Sequence, residues 1–227
     1  MSKLVIFDSD GVLVNEFDRA AHKLFVKSFL QKHGVIKKGM SKRTSSRIVE
    51  RQSKMWKDIE SKALVGKISH RRANEFWIKK FGLKKSLAKE FLSGDYDFWE
   101  KSVKPQPEVK ETLRKLKLRG YELAVLSNDV RQGFLKRRIL SCAGISKYLD
   151  KVYTSHSIGH PKPDKEAYLY IVRQFGAKPN ETFFVGHQDY EIKGAKRARL
   201  KAVCFNKKPN KSADYNIKRF SGLLRID

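Results

Sequence analysis

Acidic residues are scarce: 24 Asp and Glu stand against 50 Lys and Arg, a formal net charge of +26 over 227 residues. The excess is interspersed with apolar positions rather than gathered in a tail. With 40% hydrophobic and 11% aromatic side chains there is apolar surface for a core, so disorder is excluded for most of the length. Cysteine is nearly absent: Cys142 and Cys204 make neither a disulfide framework nor a CxxC pair for zinc or redox chemistry. No apolar run approaches the ~20 residues that span a bilayer. The first, Leu4 to Phe7, is stopped by Asp8, too soon for a signal-peptide core, and the expectation is a soluble, cytoplasmic protein with no membrane partner. Residues 15–104 hold 23 Lys and Arg and 10 Asp and Glu, half of the excess, so the charge is denser there but not confined there. A nucleic-acid binder usually concentrates charge on one face; nucleic acid is therefore the less favoured partner.

What is present has two textures. Leu4–Phe7, Tyr121–Leu126, Val152–Thr154, Thr182–Val185 and Ala202–Phe205 are short runs rich in β-branched or aromatic residues and predict strands. Between the later ones, Pro107–Arg119, Arg131–Ala143, Lys165–Phe175 and Tyr190–Ala198 predict helices. Strand and helix alternate, which implies an α/β fold with a Rossmann-like parallel sheet. More than a hundred residues separate the first strand from the second, with helical periodicity over Arg19–Lys32, Ser45–Trp56, Arg71–Phe81 and Leu87–Leu92. That middle predicts an inserted helical domain at 15–104, leaving 1–14 and 105–227 as the core. Trp56, Trp77 and Trp99, with Phe76, Phe81, Phe91 and Phe98, are expected in the core of the insert. Asp18 and His22, at i and i+4, read as a solvated helix face.

Polar clusters follow the carboxyl ends of the strands: Asp8-Ser9-Asp10-Gly11, Ser127-Asn128-Asp129, Pro161-Lys162-Pro163, and Gly186-His187-Gln188-Asp189-Tyr190-Glu191. In an open parallel sheet, ligands bind in the crevice outside that edge. A calcium loop is excluded for the first cluster, because apolar Val12-Leu13-Val14 occupies the places of further oxygen ligands. Two carboxylates two residues apart, with hydroxyl and ammonium donors opposite, suit phosphoryl transfer. One Asp attacks phosphorus and a second protonates the leaving alkoxide, while magnesium offsets the repulsion between carboxylate and phosphate.

These motifs resemble those of the haloacid dehalogenase-like superfamily, in the branch with a helical cap inserted after the first motif, over essentially the whole chain. The resemblance of Phe7-Asp8-Ser9-Asp10-Gly11-Val12-Leu13 to the first motif implies Asp8 as nucleophile and Asp10 as general acid/base, and the second Asp implies a phosphatase rather than a dehalogenase. Leu126-Ser127-Asn128 resembles the second motif, implying phosphate held by Ser127 and the main-chain amide of Asn128. Lys162 resembles the third and would steady nucleophile and phosphoryl group. The fourth departs: where the family places an Asp after the glycine stands His187, with Glu191 later. The metal set implied is Asp8 and Asp10 with His187 or Asp189, for Mg2+ or, given an imidazole, Mn2+ or Co2+; the alternative is that His187 merely hydrogen-bonds a neighbour and catalysis is weak or lost. Asn15 at the cap hinge, and Lys42 and Arg43 in a cap loop, are further candidates for substrate contact. Arg199 stands where the family usually ends a helix on glycine; a non-glycine residue in a left-handed cap costs about 1 kcal/mol, which suggests relaxed local geometry there. The substrate implied is a small phosphorylated metabolite.

Overall fold

The computed structural model describes residues 3–205 and 208–226; the expected core's residues 1, 2, 206, 207 and 227 lie outside the described residues. Six strands, β1 (Leu4–Phe7), β2 (Glu122–Ser127), β3 (Lys151–Thr154), β4 (Phe183–Gly186), β5 (Lys201–Phe205) and β6 (Tyr215–Ile217), form one sheet in the order β3-β2-β1-β4-β5-β6. Every pairing is parallel. This is the expected α/β architecture. β6 was not anticipated: it has three residues, of which Asn216 is exposed, too short to register as a pattern.

The helices are α1 (Arg19–Lys32), α2 (Lys42–Leu64), α3 (His70–Lys80), α4 (Leu87–Ser102), α5 (Val109–Leu118), α6 (Gly133–Cys142), α7 (Ser155–Ile158), α8 (Lys165–Gln174) and α9 (Asp189–Arg197). The alternation along β1 explains why the sheet is covered on both faces. Val5 and Phe7 pack with Leu113 and Leu116 of α5 and Leu140 of α6. Leu4 and Ile6 pack with Ile171 of α8 and Ile192 of α9. Strands buried on both faces carry continuous apolar runs, so the first polar residue after such a run marks the sheet edge.

The four helices α1–α4 lie between β1 and α5 and have their own core around Phe29, Leu30, Trp77 and Phe91. Side-chain caps fix where three of them start: Asp18 accepts from the Ala21 N–H, Ser41 from Thr44 and Ser69 from Arg72. α2 and α4 run beyond the expected lengths. In α4 the sequence pattern breaks at Gly94-Asp95, yet Asp95 continues the buried stripe of Ala88, Phe91 and Leu92. Of the aromatics expected in this core, Phe76 is exposed, Trp99 faces a cavity instead, and Trp56 packs against the core while also lining that cavity.

The chain leaves and rejoins the sheet through two segments bound side by side. The Asn15 N–H donates to the Lys104 carbonyl (2.9 Å) and the Gln106 N–H to that of Leu13 (3.0 Å), while the Lys104 N–H donates to Asn15 Oδ1 (2.7 Å). The Asn15 side chain thus clamps the two crossings together. The geometry at Arg199 is not relaxed: its φ of 63° is the left-handed conformation usually left to glycine. No helix among the described residues is long and apolar enough to cross a membrane.

Candidate active site

β1 and β4 are neighbours, with β2 and β3 to one side and β5 and β6 to the other, so the connection order reverses between them. The crevice at such a switch point opens past the carboxyl ends. Asp8 stands there immediately after β1, its N–H donating to the Val185 carbonyl at 2.9 Å. Its carboxylate meets the ammonium of Lys162, which also lies 2.7 Å from Glu191 Oε1. All three residues are buried. Burial alone would raise the Asp8 carboxyl, but the charge of Lys162, together with His187, holds it below the ordinary carboxylate range. Burial likewise opposes the Lys162 charge, and Asp8 and Glu191 outweigh it, raising the ammonium above its usual value.

His187 follows β4. Its Nδ1 lies 3.3 Å from Asp8 Oδ2 and 3.8 Å from Glu191 Oε2, and its Nε2 lies 3.4 Å from Glu16 Oε1. Burial works against a charge on the ring, but the Asp8 carboxylate beside it prevails and raises its pKa. Gly11 makes room for this ring: its φ is 81°, and a Cβ there would come within 2.9 Å of the imidazole. Asp8, His187 and Glu191 each offer a ligand atom within 4.8 Å of one another. Two carboxylates and an imidazole fit a divalent cation in kind and in spacing, with nitrogen favouring Mn2+ or Co2+ over the harder Mg2+. Glu191 Oε2 also accepts from the Gln188 N–H at 3.2 Å, closing a capping box on α9.

Asp189 is not brought to this cluster. Residues two apart on a helix point about 200° away from each other, and since Glu191 faces the crevice, Asp189 faces solvent, paired with Lys193 (2.7 Å) and Asn210 (3.1 Å). The Asp10 carboxylate also stands outside it: Lys136 Nζ donates to both of its oxygens, at 3.0 and 3.1 Å.

At the end of β2, Ser127 is buried, and neither its hydroxyl nor the Asn128 N–H is hydrogen-bonded among the described residues. The Asn128 side chain is tied to the third-strand loop: Nδ2 donates to the Lys162 carbonyl (2.8 Å) and Oδ1 accepts from the Lys162 N–H (2.7 Å). It therefore fixes the loop carrying Lys162.

Sequence reasoning missed a second set of buried charges. Lys136 of α6 is fully buried and reaches Asp129 Oδ2 (3.4 Å) as well as Asp10. Arg131 pairs with Asp129 (3.1 Å) and with Asp95 of α4 (3.0 Å), and the Asp95 carboxylate accepts from His22 Nε2 at 2.8 Å. The guanidinium lies 4.5 Å from the Trp99 ring centre, whose other neighbour Phe17 is stacked at 4.5 Å. Burial would raise Asp129, but Arg131 and Lys136 outweigh it and lower the carboxyl to about 2. His22 is thus a partner of buried Asp95, not part of a solvated face. The signal was available: Lys136 and Asp95 stand in register with the apolar stripes of their helices.

Between these charges and the insert lies a cavity of about 480 Å³. Asp10, Asn128 and Arg131 line one wall, and Gln52, Trp56 and His70 the other. Burial, with the Arg131 charge adding to it, lowers His70 to about 4, so the ring is neutral at pH 7. Asn15, Lys42 and Arg43 do not line this cavity; the two basic residues are exposed at the start of α2.

The sequence profile of the haloacid dehalogenase-like hydrolases matches residues 2–199. A phosphoglycolate phosphatase of Aquifex aeolicus is 30% identical over 128 residues, covering 55% of this chain and 59% of that protein. A pyrophosphatase PpaX of Bacillus mycoides is 24% identical over 88% of this chain and 81% of its own. Against the first few such relatives, the chain spans only about half of their length. Among solved structures, an HAD phosphatase of Thermococcus onnurineus superposes with a TM-score of 0.69 at 25% identity, covering 98% of this chain and 96% of that one. A 2-haloacid dehalogenase of Pseudomonas syringae superposes at 0.73 and 20% identity, over 99% and 97%, a likeness of fold.

Proposed function

Since the chain belongs to the haloacid dehalogenase-like hydrolase family, we propose that it is a metal-dependent phosphomonoesterase acting on a small phosphorylated metabolite through an aspartyl-phosphate at Asp8. Residues 1–14 and 105–227 form the catalytic core and 15–104 the cap. One observation carries the reading: Asp8 is buried at the switch point against Lys162, with the Ser127 hydroxyl and the Asn128 N–H open at the next strand end. A carboxylate kept ionised beside unengaged donors is arranged to attack phosphorus while those donors take the phosphoryl oxygens.

In the first step an Asp8 oxygen bonds to phosphorus and the bond to the ester oxygen breaks. The Asp10 carboxyl gives its proton to the departing alkoxide, which occupies the 480 Å³ cavity. In the second, Asp10, now a carboxylate, takes a proton from water as the water oxygen bonds to phosphorus. The bond from phosphorus to Asp8 breaks, releasing inorganic phosphate and restoring both side chains. Lys162 stabilises the charge on the transferring group throughout. A divalent ion held by Asp8, His187 and Glu191 supplies, when bound, the positive charge that offsets repulsion between a carboxylate and a phosphate dianion.

Initial rates with p-nitrophenyl phosphate and a panel of phosphorylated metabolites, with Mg2+, Mn2+, Co2+ or none, test this. The expected outcome is metal-dependent release of phosphate that Asp8→Asn abolishes. His187 favours a second reading, a family member whose turnover has decayed; silence across the panel, with activity gained in His187→Asp, would replace the first reading by that one.

A further inference from the structure

We propose that Lys136 is the positioning residue for the general acid/base, holding the Asp10 carboxylate at the mouth of the leaving-group cavity. The inference rests on the phosphatase reading and adds a residue that neither the motifs nor the sheet-edge pattern points to.

Lys136 has no solvent-exposed surface, and a buried ammonium is costly unless it is paired. Its pairing is specific. Nζ spans both Asp10 oxygens at 3.0 and 3.1 Å, and its second partner is Asp129 at 3.4 Å. Asp129 is in turn fixed by Arg131, which the cap residue Asp95 grips from the other side. The Trp99 ring, 5.5 Å from Nζ, closes the remaining approach. Lys136 therefore has little freedom, and the Asp10 side chain, 31% exposed, takes its direction from it. Ser9 Oγ at 3.3 Å is its other polar neighbour. As Asp10 yields its proton to an alkoxide, negative charge develops on the carboxylate against a fixed ammonium, so the contact strengthens along the reaction.

The test uses the leaving group. An alkyl phosphate needs a proton as its bond breaks, whereas p-nitrophenolate leaves without one. kcat/KM reports the steps up to phosphoenzyme formation, before water is activated. In Lys136→Met, with the metal held saturating in every arm, kcat/KM for an alkyl phosphate is expected to fall roughly 100-fold and that for p-nitrophenyl phosphate less than roughly 5-fold, from the usual size of general acid catalysis. Lys136→Gln, which keeps one donor, is expected to fall between wild type and Met in the alkyl-to-aryl ratio, and it carries the test if the Met variant does not fold. Equal losses on both esters, or none, would overturn the assignment and leave Lys136 a structural ion. A wild type inactive on both esters would overturn the phosphatase reading itself, and this inference with it.

Discussion

The floor of the crevice and its cap-facing wall handle buried charge in different ways. On the floor, Asp8, Lys162, His187 and Glu191 all come from loops or helix starts just past core strands, and they pair among themselves. On the wall, carboxylates and cations alternate from Asp10 through Lys136, Asp129 and Arg131 to Asp95, which lies beside His22, so the last members belong to the inserted helices. The floor draws on the 15–104 segment only through Glu16 beside His187, whereas the wall is satisfied only with the inserted helices in place. Asp8 and Asp10, the proposed nucleophile and general acid, thus sit two residues apart in sequence but answer to different parts of the molecule.

The largest effect should come from the floor. Lys162→Met leaves Asp8 and Glu191 buried without their shared cation, and breaking such a pair costs about 3–5 kcal/mol. Urea unfolding should show that loss together with loss of activity; a loss below about 1 kcal/mol would mean that the floor is not a closed ionic unit. On the wall, Arg131→Met strands Asp95 against His22 alone and removes the stacking on Trp99. A destabilisation of about 2–3 kcal/mol is expected, with faster proteolysis at the paired crossings near residues 15 and 104. Unchanged proteolysis would show that the ion chain does not hold the cap down.

Acid should act through the cavity. His70 titrates at about 4 when folded against 6.5 for an ordinary histidine, so its stabilising contribution is complete above pH 6.5 and is lost as pH falls towards 4. Partial exposure of the ring trims the full effect, to roughly 2 kcal/mol. His70→Gln should therefore flatten the fall of Tm between pH 6.5 and 4, and an unchanged slope would assign it to other groups. Smallest is a change far from either region: Arg199→Gly relieves a left-handed residue and should stabilise by about 1 kcal/mol, raising Tm by about 2–4 °C with no effect on kcat.

The same comparison explains what the sequence disclosed. Half of the floor was legible because Asp8 and His187 each follow an apolar run, and in a doubly covered parallel sheet that position is the crevice; Lys162 stood out through its resemblance to a family motif. Within it, the choice between Asp189 and Glu191 was not legible without the start of α9, which decides which of the two faces inward. The wall's centre escaped because Lys136 and Asp95, which link Asp10 and Asp129 to the insert, are charged residues inside helical stripes that read as apolar faces with interruptions. Gly94 and Asp95 looked like the end of a helix that in fact continues to Ser102. Cavity residues such as Gln52 and His70 gave no signal at all, since only the packing of α2 and α3 against the core makes them neighbours. Lys42 and Arg43 illustrate the converse: a motif-like loop that the fold leaves on the surface.

The central claim is that phosphate passes through the carboxylate of Asp8. Quenching the enzyme with borohydride during turnover of a phosphate monoester reduces an aspartyl-phosphate to homoserine, which peptide mass spectrometry locates. Substrate-dependent homoserine at position 8, absent without substrate and in Asp8→Asn, is the expected result. Sustained turnover with an unmodified Asp8 under conditions that trap other acyl phosphates would contradict the account.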